Sequence, residues 1–418
     1  MHSGNAKKDK PQSGFLGNLT ASQEHKLKEA HLTLLKTIGR APLDAKVGIY
    51  VKDDQPQGKS LFSFGDNSKS TPEECLSDFK EACGDLPTKT VLSAFGQAAR
   101  FDHPDALMLR FLRARKWNTA KALVQLGHTL HWRGRVSHID QVLERGEEFY
   151  IKKEKNAGFA EQFTSGKVCL HGHDKHNRPI VNVTVCKHDP KAQTDEEMEL
   201  FTIYLIETVR LALTNEVSTA VVVFNLEGFG LSNMDYHVVK FLLGCFEQYY
   251  PECLGILFIH KAPWVFSGIW SIIKGWIDPV VASKIQFTKK SSDLLKAIDS
   301  TQLLDYLGGT SPYKYKYIEP KEGENAYLSK TEERDQLFEK RREMYAKFED
   351  LTLQWVLTKD AKESEELRVQ RDELAAELTK QYWVLDPYVR ARSISDRDGT
   401  LGEFHVELQS GNIAQPTL

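Results

Sequence analysis

Four positive charges fall within seven positions, at Arg110, Arg113, Arg115 and Lys116, interleaved with Leu107, Leu109, Phe111 and Leu112. A solvated basic face on an apolar helix has this pattern. So does a site that captures an anion such as phosphate through a fork-shaped guanidinium. Other candidates for chemistry are sparse. The 14 histidines are scattered, and His171 and His173 are closely spaced without a Cys or Asp partner pattern, which places them, solvated, in an HGHDKHN turn. His260 ends an apolar run and reads as a satisfied structural histidine. The six cysteines form no C-x-x-C pair and sit mostly in apolar contexts, so reduced, buried thiols are expected, not a disulfide frame or a zinc site. LEGFG is not a dinucleotide fingerprint, and neither G-x-S-x-G nor H-E-x-x-H occurs. These patterns point away from an enzyme and give no metal site.

A second feature is physical and not catalytic. In Tyr249 to Phe287, an apolar run (Leu254 to Ile259) leads through Ala262-Pro263 to Phe266, Ile269, Trp270, Ile273 and Ile277, spaced by three and four. That spacing predicts a helix, widened by Trp276 and ended by Asp278-Pro279, with Lys284 in the segment beyond. At about 20 Å it is too short to span a bilayer, which takes about 20 apolar residues. It is either a core helix or a lid over something apolar.

The elements that must position these residues follow from patterning. The 418 residues suffice for two or three domains, and a net charge of −3 gives no strong electrostatic case for nucleic-acid binding across the whole surface. No secretory h-region, membrane-spanning stretch or internal repeat is apparent. Residues 1–20 read as a disordered lead, Ser22 to Ile38 as a helix, and 39–70 as a flexible linker carrying Phe62 and Phe64. Residues 72–145 read as a run of helices, the clearest being PDALMLRFLRARKWNTAKALVQLGHTLHWR. From Lys167 a hairpin, KVCLHG and RPIVNVTV, is followed by alternating helices and strands, among them the continuous β-branched run TAVVVFNLEG. This alternation predicts an α/β sheet with helices packed on it. Ser291 to Leu307 gives two short helices ended by Gly308-Gly309. Ser329 with Glu332 suggests a capping box, and Leu337, Met344, Phe348, Leu351 and Trp355, then Leu367, Leu374, Leu378 and Tyr382, describe a helical hairpin. Its stripe packs on the α/β domain or, alternatively, binds a partner as a coiled coil. RARSISDRDG gives a basophilic phosphorylation context around Ser393 and Ser395.

RFLRARKW, DKHNRP, VFNLEGFGLSNM, YYPECLG, APWVFSGIW, IDPVVASKI and YLGG, in this order, resemble the CRAL-TRIO lipid-binding family over roughly residues 90–315. The chain is similar to fungal Sec-fourteen-like phosphatidylinositol transfer proteins of a longer branch with a C-terminal helical extension. The resemblance implies an α/β CRAL-TRIO fold: a helical N-terminal subdomain, a mixed sheet flanked by helices and enclosing one hydrophobic pocket, and a C-terminal hairpin. The corresponding divisions are 1–70, 71–150, 151–315, 316–390 and a tail, 391–418. It also implies that Arg115, Glu252 and Lys284 bind the inositol phosphate head group. Ala220, Val222, Phe224 and Val281 would line the pocket, and Phe266, Ile269, Trp270, Ile273, Trp276 and Ile277 would form a membrane-contacting gate. The sequence departs from the family at three of these. Val281 stands where the founding yeast member has a Thr that contributes to inositol-lipid binding, and Ala220 and Val222 replace hydroxyl residues that help hold phosphatidylcholine. The resemblance implies phosphatidylinositol as cargo, and the more apolar pocket a second ligand such as a sterol or squalene in place of phosphatidylcholine, with no other cofactor. The expected partners are transiently contacted endomembranes, approached by a cytoplasmic monomer. The competing reading is a lipid-sensing scaffold that engages a lipid kinase or other protein through the hairpin.

Overall fold

The computed structural model describes residues 13–48, 71–405 and 408. Two compact units share the chain: Met1–His131 with Glu339–Gln381, and Trp132–Phe338 with Tyr382–Leu418. The first contains α1 (Ala21–Thr37), α2 (Pro72–Ala82), α3 (Val91–Ala99), α4 (Pro104–Ala114) and α5 (Thr119–His131). The second opens with α6 (Ile139–Glu147) and α7 (Ala157–Thr164), then β1 (Val168–His173), β2 (Pro179–Thr184), α8 (Asp195–Leu211), β3 (Ala220–Asn225) and α9 (Tyr236–Gly244). It continues with β4 (Leu254–His260), α10 (Phe266–Ile273), α11 (Pro279–Ser283), β5 (Ile285–Thr288) and α12 (Ser291–Leu294). The long helices α13 (Thr331–Leu357) and α14 (Ala361–Val389) contribute to both units, and α15 (Ile394–Arg397) follows.

In the first unit, Leu27, Phe79, Phe95, Phe111 and Leu126 share a core with Trp355, Val356 and Leu367 of the hairpin. This corrects the expectation that the hairpin stripe packs on the α/β domain. Only its ends do so, Leu337 with Leu385 and Tyr388, while Phe348 and Leu378 pack within the first unit. Buried charge explains the choice. Arg371, fully buried, donates to Asp105 at 2.6 and 2.9 Å and lies over the Trp355 ring at 4.2 Å, and His31 meets the same carboxylate at 2.7 Å. The expected Ser329–Glu332 capping box is not what starts α13: the Ser329 hydroxyl donates to the Ala326 carbonyl.

Two further expectations change in this unit. The helix expected from Pro104 onward is two helices, because Lys116 and Trp117 both take left-handed backbone (φ 51° and 65°) and Asn118 then caps α5 through Lys121 N–H. Residues 13–20 and 39–48 are tied down, not loose: Gly14 O accepts from Arg113, and Gly48 N–H donates to Val356 O at 2.8 Å. A Cβ on Gly48 would stand 1.9 Å from the Thr358 carbonyl oxygen, so only glycine permits this approach. The rest of the expected lead, 1–12, and of the linker, 49–70 with Phe62 and Phe64, lies outside the described residues.

The second unit is built on a mixed sheet in the order β1-β2-β3-β4-β5, with β1 antiparallel to β2 and the remaining pairs parallel. β3 is central and almost wholly buried, as its β-branched run requires. Val221 and Val223 face a cluster with Phe258, Leu294, Ile298, Leu303 and Leu307. Asp174 shapes the β1–β2 turn by accepting from His176 N–H, Arg178 N–H and the Arg178 guanidinium.

The phosphorylation context around Ser393 and Ser395 dissolves on folding. Arg390 donates to Asp386 and Asp396, Arg392 to Asp386, and the Ser393 hydroxyl caps α15 against Asp396 at 2.7 Å. Both serines are buried, so the folded chain presents neither to a kinase. Burial alone would raise the carboxyls of Asp105, Asp386 and Asp396, but the guanidiniums of Arg371, Arg390 and Arg392 outweigh it and hold all three below the ordinary 3.8. Stability from such groups is present above the unfolded value of about 3.9 and is lost as pH falls through the folded values. Glu147 acts oppositely: burial lifts it to about 7 despite Arg397, so it destabilises as pH rises from 4.5 to 7. Thermal melts from pH 2 to 8 are expected to peak near about pH 5 and to fall steeply below about pH 4. A melting temperature unchanged down to pH 2 would contradict the buried pairs.

Candidate functional site

Strand alternation sets the site. Because Val221 and Val223 face the α12 side, Ala220, Val222 and Phe224 project to the opposite face. Register adds Leu257 and Ile259 of β4, then Ile285 and Phe287 of β5, to that apolar face. Over it leans α10, whose Trp270 meets Phe287 edge-on at 4.9 Å. Helix α9 carries Val238, Val239, Phe241, Leu242 and Leu243, yet none of its residues is fully buried. Ala220, Val222, Leu257 and Ile259 are buried, and Val238, Phe241 and Leu242 of α9 pack against the cluster that holds Phe201 and Tyr204; a continuous apolar face of this kind suits an apolar ligand.

Pro263 prevents β4 from continuing, and after one turn α10 begins with Val265 as a cap that supplies no side-chain bond. The Ser267 and Ser271 hydroxyls donate back to the Trp264 and Ser267 carbonyls. Phe266, Ile269 and Ile273 turn inward; Trp270 is half-buried, and Trp276, in a terminal 3₁₀ turn, is exposed. Ile277, extended and half-buried, leads to Asp278, which caps α11 through Val280 N–H at 2.7 Å. Asp278-Pro279 therefore starts the next helix as much as it stops the last. Val281 is buried in α11.

The outward apolar residues include two that the sequence reading missed, Trp264, 88% exposed, and Ile272, 49% exposed. Trp264 lies in the turn before α10, Ile272 in its last turn and Trp276 in the 3₁₀ turn after it. Val280 and Phe287 extend this exposed apolar set, and Tyr236 meets Trp276 edge-on at 5.9 Å.

Glu252 and Lys284 come together at the N-terminal ends of β4 and β5, Nζ to Oε1 3.8 Å, each side chain about one-fifth exposed (21% and 20%). Glu252 holds left-handed backbone, φ 59°, and the Lys284 carbonyl accepts from Leu257 N–H. Of the four basic residues in the first unit, Arg110 is buried 3.9 Å from Asp102, and Arg113 bonds Gly14 O and lies over Phe15. Arg115, half-buried at the C-terminus of α4, has no side-chain hydrogen bond or ion pair among the described residues.

The remaining candidates resolve differently from expectation. His171 and His173 lie on β1, not in a solvated turn: His171 pairs with Ser311 at 2.8 Å and stacks on Tyr313, and His173 meets the Asp174 carbonyl. His260 is satisfied at one nitrogen only, Nδ1 to Thr288 Oγ1 at 2.9 Å; its Nε2 is buried without a partner. Five cysteines are free and buried, and Cys186 is exposed. Among the described residues no cluster of three metal-ligating side chains occurs, and no helix is long and apolar enough to cross a membrane.

A parallel-strand core, an apolar sheet face under a short apolar helix and a charged pair at the strand ends define a recognised class. The CRAL/TRIO domain profile matches residues 163–309 and its N-terminal domain profile residues 75–128, and the chain belongs to the CRAL-TRIO family. A CRAL-TRIO domain-containing protein of Schizosaccharomyces pombe is 38% identical over 344 residues, 82% of this chain and 76% of that protein. The phosphatidylinositol transfer protein CSR1 of Eremothecium gossypii is 40% identical over 342 residues, 81% and 78% of the two chains. The Sec14 cytosolic factor of Schizosaccharomyces pombe is 28% identical over 234 residues, covering 52% and 78%.

Proposed function

We propose that this protein is a lipid carrier that exchanges phosphatidylinositol, and a second, more apolar ligand of sterol or squalene type, between membranes. The observation that carries this reading is the single segment 249–287. It joins the Glu252–Lys284 pair at one end of the sheet to an apolar sheet face and its covering helix. The Lys284 ammonium neutralises the lipid phosphate, and the Glu252 carboxylate accepts from inositol hydroxyls. Ala220 and Val222 offer no hydroxyl to a choline lipid, which favours the apolar second ligand. The similarity to a phosphatidylinositol transfer protein supports the same reading.

A two-chain lipid buries about 30 methylenes worth about 0.8 kcal/mol each, so escape into water is prohibitive and exchange needs a closed carrier. Helix α10 serves as the gate, and the exposed Ile272 in it, with Trp264 before it and Trp276 after it, enters the membrane interface. The protein thus acts from the cytoplasm by transient contact with endomembranes and performs no covalent chemistry. The hairpin's Trp355 and Leu367 lie in the first unit's core, so the scaffold alternative would have to use the hairpin's outward face.

Trp264→Asp and Trp270→Asp are each expected to slow transfer of fluorescent phosphatidylinositol between vesicles by about tenfold or more, given about 1.5–3 kcal/mol per buried aromatic side chain. The melting temperature of Trp264→Asp stays that of the wild type, since the side chain is exposed. Unchanged transfer in both variants would remove the gate role.

A further inference from the structure

Two residues before Glu252, the Tyr250 ring turns inward and its hydroxyl donates to Glu207 Oε1 at 2.7 Å. Arg133 Nη1 donates to the same oxygen at 2.6 Å, and Arg210 Nη1 approaches it at 3.4 Å. Glu207 is wholly buried, and Arg133 and Tyr250 nearly so. Trp132 stacks on Tyr249 at 3.9 Å with planes 1° apart and meets Tyr250 edge-on at 5.9 Å. The main chain is pinned on both sides of the turn: Tyr250 N–H donates to Cys245 O, and Cys253 O accepts from Ala220 N–H, both at 2.8 Å.

Between these anchors stands Glu252, with φ 59° and no glycine to relieve it. A left-handed backbone at such a residue persists only where its surroundings over-determine it. Burying a carboxylate and two guanidiniums is also expensive, and an apolar cluster would pack the same space at no electrostatic cost. Charge here makes sense if direction matters: hydrogen bonds to Glu207 fix where Tyr250 points, and with it the path of the next two residues. The outcome is a Glu252 carboxylate 3.8 Å from Lys284.

We propose that Glu207, Arg133 and Tyr250 are positioning residues for head-group selection. They hold the Tyr250–Glu252 turn so that Glu252 is presented beside Lys284, and so set the preference for an inositol-bearing phospholipid over other anionic phospholipids. The proposal rests on the head-group reading given above. Phosphatidylglycerol is the informative comparison, because it shares the phosphate and acyl chains and carries a glycerol where phosphatidylinositol carries the inositol ring.

The test loads full-length protein from phosphatidylcholine vesicles doped with equal amounts of phosphatidylinositol or phosphatidylglycerol. Tyr250→Phe keeps the ring and removes one hydrogen bond to a charged group, so the uptake ratio of the two lipids is expected to fall about tenfold. Glu207→Gln, which keeps the side-chain shape, is expected to lower the same ratio. On a Glu252→Gln background Tyr250→Phe should change the ratio no further, because it acts through Glu252. A ratio that stays at the wild-type value, a parallel fall for both lipids, or a further drop on the Glu252→Gln background each overturns the proposal. Lys284→Ala separates the two levels of the account. If it lowers phosphatidylinositol uptake while Tyr250→Phe keeps the ratio, only the positioning role falls. If it leaves uptake unchanged, the head-group reading fails and the positioning role with it.

Discussion

Replacing Arg371 by Met is expected to destabilise the protein by about 3–5 kcal/mol, the cost of leaving one member of a buried ion pair uncompensated. Arg371 has no exposed surface and satisfies Asp105 with two hydrogen bonds and the Thr352 hydroxyl with a third, while its plane lies over Trp355 and Phe348. Its loss strands the Asp105 carboxylate beside His31, a weaker partner whose own pKa is lowered, by burial foremost and against the pull of Asp105. Urea unfolding followed by tryptophan fluorescence reads the effect. Arg371→Met with Asp105→Asn should be less destabilised than the sum of the single variants, because the pair is removed together. A loss below about 1 kcal/mol for Arg371→Met would show that the pair is spectator to the fold. The same geometry bears on truncation. Deleting residues 330–418 removes Trp355, Val356, Leu367 and Arg371 from the first unit, so it would test folding and not a partner-binding role.

The second large effect concerns cargo. Lys284→Ala combined with Glu252→Lys is expected to weaken phosphatidylinositol binding by about tenfold to a hundredfold, on the basis of about 1.5–3 kcal/mol for a hydrogen bond to a charged group. The pair is partly exposed and linked at 3.8 Å, so its loss costs the fold little. Binding of an apolar ligand such as squalene should persist, because Ala220, Val222 and Phe224 are untouched. Equal retention of phosphatidylinositol by the double variant would show that the head-group assignment is wrong.

Much of the α/β unit was legible because its signals are local. The β-branched run of β3 and the three-and-four spacing of α10 each report one element's surroundings. What could not be read depends on distant residues or on unusual backbone. Asp105 and Arg371 lie 266 positions apart, so no local pattern shows that the hairpin completes the first unit. Nothing in RFLRARKW announces that Lys116 and Trp117 adopt left-handed backbone and split the helix there. The RARSIS pattern misled because a short motif is blind to burial, and its arginines belong to Asp386 and Asp396. At the site, Glu252 and Lys284 were reached through family resemblance. Periodicity alone marks neither, since one lies in a turn and the other caps a five-residue helix. Ile272 lies off the inward stripe and Trp264 precedes the helix, so the three-and-four spacing marks neither.

Mass spectrometry of organic extracts from natively purified protein addresses the central claim most directly. Extracts of the wild type are expected to contain phosphatidylinositol with an apolar isoprenoid or sterol. In the Lys284→Ala, Glu252→Lys variant the phosphatidylinositol alone should be depleted. Extracts without phosphatidylinositol, or with the same amount from both proteins, would contradict that claim.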